Sequence, residues 1–118
     1  MLLLGGGAAF AQSSTQSTTV SCDVTITSNL VTLYQSKSGP MSIKQISSSP
    51  SINSYYWATS SNGNSVGAKS AVNGGTVSWN PVAPSNYTFK THVVSSTNCN
   101  GAYPGDGNAS LSFTATTS

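Results

Sequence analysis

Tyr87-Thr88-Phe89-Lys90-Thr91-His92-Val93-Val94-Ser95 is the stretch that decides the fold class. In an extended chain Tyr87, Phe89, Thr91 and Val93 share one side, and Thr88, Lys90, His92 and Val94 the other. Side chains of a β-strand alternate between faces, so this period of two predicts a strand with one face buried. The most regular alternation in the chain lies far upstream, where Val20, Cys22, Val24 and Ile26 interleave with Ser21, Asp23, Thr25 and Thr27. It predicts the first strand of the domain.

Between these two segments the chain repeats short β-prone runs and turn signals. Strands are predicted at Leu30 to Gln35, Met41 to Ile46, Ile52 to Thr59, Ser65 to Val72 and Thr76 to Asn80, and a last one at Ala109 to Thr116. Ser38-Gly39-Pro40, Ser49-Pro50, Asn62-Gly63-Asn64, Asn73-Gly74-Gly75 and the run from Pro81 to Asn86 punctuate them. No window sustains a helical period. The reading is all-β: a single antiparallel β-sandwich of seven or eight strands.

Val82-Ala83-Pro84-Ser85-Asn86-Tyr87-Thr88-Phe89 resembles the turn and penultimate strand of bacterial secreted immunoglobulin-like and fibronectin-type domains. The resemblance implies an immunoglobulin-like sandwich over Val20 to Thr116. The cysteines depart from the antibody pattern, because Trp57 follows Cys22 by many residues and Cys99 lies beyond the penultimate strand. Val31-Thr32-Leu33-Tyr34-Gln35-Ser36 is similar to a segment of small secreted bacterial α-amylase inhibitors. There, Lys37-Ser38-Gly39-Pro40 stands where that family carries a Trp-Arg-Tyr loop.

Residues 1–11 end in Ala8-Ala9-Phe10-Ala11, with small residues spaced as signal peptidase requires, and are read as part of a signal peptide. The run is too short to span a bilayer. Residues 12–19 are Ser, Thr and Gln with no apolar face and are expected to form a flexible lead, with the sandwich occupying residues 20–118. The leader and the plain composition read as those of a secreted or cell-surface bacterial protein. In an exported chain, two cysteines predict a disulfide between Cys22 and Cys99, clasping the first strand to the loop before the last.

Only 5% of residues are charged, and the net charge of +2 comes from four Lys against Asp23 and Asp106. Scattered lysines do not form the basic stripe that displaces counterions from nucleic acid, so no nucleic-acid partner is expected. Two lone aspartates, one on a strand and one in a Gly-rich turn, are read as structural, and His92 as an ordinary strand residue. No catalytic residue, metal site or cofactor is expected.

The aromatic residues are the stronger pointer. Tyr55, Tyr56 and Trp57 are consecutive and cannot all enter one face, and together with Trp79 they are the candidate binding residues. The expected function is a non-catalytic extracellular structural or adhesive module, such as a surface-fibre subunit built by addition of the free lead to a neighbour's sheet. Its partners would be a second copy of itself or another surface protein. Two alternatives are a carbohydrate-binding module and a small secreted inhibitor or toxin presenting the loop Asn98 to Asn108.

Overall fold

The computed structural model describes residues 11–95, 99, 101, 103 and 105–118. All but one residue of the proposed leader lie outside that set, as do several residues of the Asn98 to Asn108 loop. Among these residues eight strands form two antiparallel sheets: β1 (Ser13–Ser21), β2 (Ser28–Gln35), β3 (Gly39–Ser49), β4 (Asn53–Ser60), β5 (Ser65–Ala71), β6 (Thr76–Val82), β7 (Ser85–Ser95) and β8 (Asn108–Thr116). Sheet A runs β1-β8-β3-β6 and sheet B runs β2-β7-β4-β5. Among the described residues no helix is long and apolar enough to cross a membrane.

This strand order is best understood as one long hairpin rolled up. The pairs β4·β5, β3·β6, β2·β7 and β1·β8 are the rungs of that hairpin. Its tip is the β4–β5 turn, where Gly63 takes the left-handed φ of 88° that a residue with a Cβ resists. Rolling then brings β8 against β3 and β7 against β4, which completes the sheets. The result is the two-sheet, double Greek-key order of a jelly roll. In an immunoglobulin sandwich the strands divide instead as ABED and CFG.

The interior follows from the alternation. Tyr87, Phe89, Thr91 and Val93 of β7 are buried, and Tyr87, Phe89 and Val93 join Met41, Ile43, Leu111 and Phe113 from sheet A in one core. Two fully buried glutamines cross it. Gln35 donates to the carbonyls of Gly39 and Val82 and accepts from the Ser118 N–H. Gln45 donates to the Ile52 carbonyl at 2.8 Å and to Asn73 Oδ1 at 2.9 Å, and accepts the Tyr56 hydroxyl at 2.6 Å. A buried amide costs stability unless it is paired, and both of these are.

The first strand is the main correction. The alternation from Val20 to Thr27 is not a strand beyond Ser21, because Asp23 folds the chain into a local turn. Its carboxylate accepts from the Thr25 N–H at 2.9 Å and Thr25 Oγ1 at 2.7 Å, and Ile26 N–H donates to the Asp23 carbonyl at 3.1 Å. Asp side chains offer the backbone this alternative to a sheet ladder. Val24 and Ile26 are left 46% exposed.

Conversely, residues 13–19 of the expected flexible lead form most of β1, in unbroken register with β8 from Ser13↔Thr116 to Ser21↔Asn108. An edge strand needs little apolar surface. β1 contributes Val20 to the core and decorates its outer face with hydroxyl pairs such as Thr15–Thr114 at 2.8 Å and Ser17–Ser112 at 2.7 Å.

The Cys22–Cys99 disulfide is present, with Cα atoms 6.3 Å apart, and ties the residue after β1 to the β7–β8 connection. The opposite end of β1 is tied by polar contacts: Gln12 N–H donates to Thr117 Oγ1 at 3.0 Å, and Gln12 Oε1 accepts from Tyr34 N–H at 2.7 Å.

Candidate functional site

The outer face of sheet B carries the exposed aromatic residues. Alternation along β4 sends Ser54, Tyr56 and Ala58 inward and Asn53, Tyr55, Trp57 and Thr59 outward. On β7 the outward residues are Asn86, Thr88, Lys90, His92 and Val94, of which Asn86 is exposed and the others half-buried. The register sets Tyr55 opposite His92, Trp57 opposite Lys90 and Thr59 opposite Thr88. β2 extends these rows with Asn29 beside Lys90 and Thr32 beside Thr88, and β5 adds Ser70 beside Tyr55.

His92 sits between the two aromatic rings. Its centroid is 5.2 Å from that of Tyr55 and 5.3 Å from that of Trp57, with interplanar angles of 79° and 69°. Both contacts are edge-to-face, the arrangement favoured by ring quadrupoles. The imidazole thus acts as a wedge that fixes the tilt of its neighbours. Tyr55 is exposed and Trp57 half-buried. Around them stand hydroxyls, amides and Lys90, with no carboxylate in these rows.

Of the four aromatic residues singled out from the sequence, the fold brings Tyr55 and Trp57 together here and points the other two inward. Tyr56 is fully buried, hydrogen-bonded to Gln45, and burial pushes its hydroxyl well above the ordinary phenol range. Trp79 is 8% exposed and belongs to β6 of the other sheet. Its indole N–H donates to the Gly67 carbonyl at 2.7 Å, and Lys69 Nζ lies 5.9 Å from its ring centroid. Trp79 therefore seals the end of the sandwich where β5 meets β6. The residue that sequence reading missed is His92. Its face was legible from the period of β7, but its place between Tyr55 and Trp57 depends on a pairing between distant segments.

The two aspartates lie elsewhere. Hydrogen bonds from the Thr25 N–H and then from its hydroxyl hold the Asp23 carboxyl below the usual carboxylate range. Asp106 is exposed just before β8, and its N–H donates to the Tyr103 carbonyl at 3.0 Å. Among the described residues no three His, Cys, Asp or Glu side chains gather as a metal site would require. Comparison with protein-family models and with curated proteins returned no match.

Proposed function

We propose that this domain is a non-catalytic extracellular adhesive module that holds carbohydrate on the outer face of sheet B. The observation that carries the proposal is the Tyr55–His92–Trp57 cluster, three rings held in fixed mutual orientation on a solvent-facing sheet. Aromatic rings present an apolar surface to the C–H faces of a pyranose, while nearby hydroxyl and amide groups match its hydroxyls. Asn29, Ser70, Thr59 and Thr88 supply those groups in adjoining rows. The disulfide is compatible with the oxidising space outside the cell, where such a module would work.

Tryptophan fluorescence provides the test, because the chain has two tryptophans and Trp79 is buried. Titration with soluble oligosaccharides, and pull-down on insoluble glycans, should shift the Trp57 signal. Trp57→Ala should weaken binding by about tenfold or more, as truncating a central aromatic contact commonly does. Its thermal melting should change little, as expected of a substitution on the solvent face. A flat response across neutral, acidic and amino-sugar glycans would remove the reading.

A further inference from the structure

The four edges of the two sheets are not alike. At β2, the Tyr34 N–H is taken by Gln12 Oε1 and the Tyr34 carbonyl by Thr117 Oγ1, and a bulge interrupts the strand between Asn29 and Val31. At β5, the Gly67 carbonyl accepts the Trp79 indole. At β6, the Ser78 carbonyl accepts Lys69 Nζ at 2.6 Å, and Pro81 removes a donor. Side-chain caps, bulges and proline are the devices by which edges are kept from pairing with another chain.

β1 has none of them. It is nine residues long, carries no charge and no proline, and pairs with β8 without a bulge. Its free groups follow from the ladder. Thr117 N–H donates to the Gln12 carbonyl at 2.8 Å, and Cys22 N–H to the Gly107 carbonyl at 2.9 Å, so the even-numbered residues bond towards β8. The N–H and C=O groups of Ser13, Thr15, Ser17, Thr19 and Ser21 therefore point away from it. Among the described residues, no strand pairs with that side of β1 and no hydrogen bond reaches it. The strand is also held in place at both ends, by the Gln12 contacts and by the disulfide, so little order remains to be imposed on docking.

We propose that β1 pairs antiparallel with β1 of a second copy of this chain, centred on Ser17. That centring places Ser17 opposite its own equivalent, Thr15 opposite Thr19, and Ser13 opposite Ser21. All five outward residues then sit at hydrogen-bonded positions, giving about ten bonds across the junction. No like charges face one another, because the strand has no charges. The pairing is isologous: it uses the same edge of both copies and closes at two, so it yields a dimer and not a fibre. The two-fold axis stands perpendicular to the joined eight-stranded sheet, and both sheet B faces lie on the same side of the dimer.

Sedimentation equilibrium of the disulfide-bonded chain across a wide concentration range should show a monomer–dimer equilibrium. Ser17→Pro removes an outward N–H while leaving the β8 ladder intact, and each substitution counts twice across the axis. It should weaken association by about tenfold or more with melting little changed. Thr15→Lys combined with Thr19→Lys sets ammonium groups opposite each other and should abolish the dimer, which keeps the test independent of proline tolerance. In mild oxidant Ser17→Cys should cross-link two chains, while Ser13→Cys, which faces Ser21, should not. A strictly monomeric chain, a dimer that survives the Lys pair, or an open series of larger oligomers would each overturn the proposal.

Discussion

Replacing Cys22 and Cys99 together by alanine is expected to lower the unfolding free energy by about 4–5 kcal/mol. The bridge joins residues separated by 77 positions, so its loss frees most of the described chain in the unfolded state. A domain of this size commonly has only about 5–15 kcal/mol in total. Urea titration of the oxidised and doubly substituted proteins measures the difference, and the melting temperature should fall by roughly 20 °C. The damage should be uneven. β1 contacts a single sheet neighbour and contributes only Val20 to the core, so its amides should exchange first once the covalent tie is gone. An unchanged urea midpoint would mean that the unfolded chain remains as restricted without the bridge as with it.

The second large effect is expected at Gln45. Its side chain joins β3 to the Ile52 carbonyl before β4, to Tyr56 on β4 and to Asn73 in the β5–β6 turn. Its backbone N–H donates to the Gly75 carbonyl at 2.9 Å and its carbonyl accepts the Gly74 N–H at 2.7 Å. Gln45→Leu keeps the volume but strips partners from several buried groups, at a cost of about 3 kcal/mol or more. Tyr56→Phe removes one bond and should cost about 1–2 kcal/mol. The double variant should be less destabilised than the sum, because the orphaned hydroxyl created by the first change is removed by the second. Chemical denaturation of the four proteins in this cycle gives the coupling directly, and strict additivity would show that the Tyr56–Gln45 bond does not contribute.

Much of this architecture is written locally in the chain. The faces of β7 follow from Tyr87 to Val94 alone, and every predicted strand from Leu30 onward coincides with an observed one to within a few residues. The failure at the first strand has a physical cause: periodicity says which face a residue would take in a strand, but not whether a stronger local interaction exists. Asp23 with Thr25 supplied one. The polar segment before it was misread for the complementary reason, since its order comes from pairing with β8, and nothing within Ser13 to Thr19 announces that partner. The site divides in the same way. That Tyr55 and Trp57 share a face is a matter of counting by two, whereas His92 joins them only through the β4·β7 register. If both the glycan reading and the β1 pairing hold, the dimer would present two aromatic faces to one surface, and linked weak contacts gain strongly in apparent affinity.

The rolled hairpin has a consequence for the order in which the molecule assembles. Moving from the tip outward, each rung joins residues farther apart along the chain, until β1·β8 pairs residues such as Ser17 and Ser112, 95 positions apart. The entropy of closing such loops must be overcome before their contacts form, which makes topologies of this kind slow to fold. Cys22 and Cys99 flank that outermost rung. Once joined, they make the most distant partners near neighbours, so the oxidised chain can zip from either end of the hairpin and the reduced chain only from its tip. The timing of oxidation relative to collapse then decides which strands find each other first.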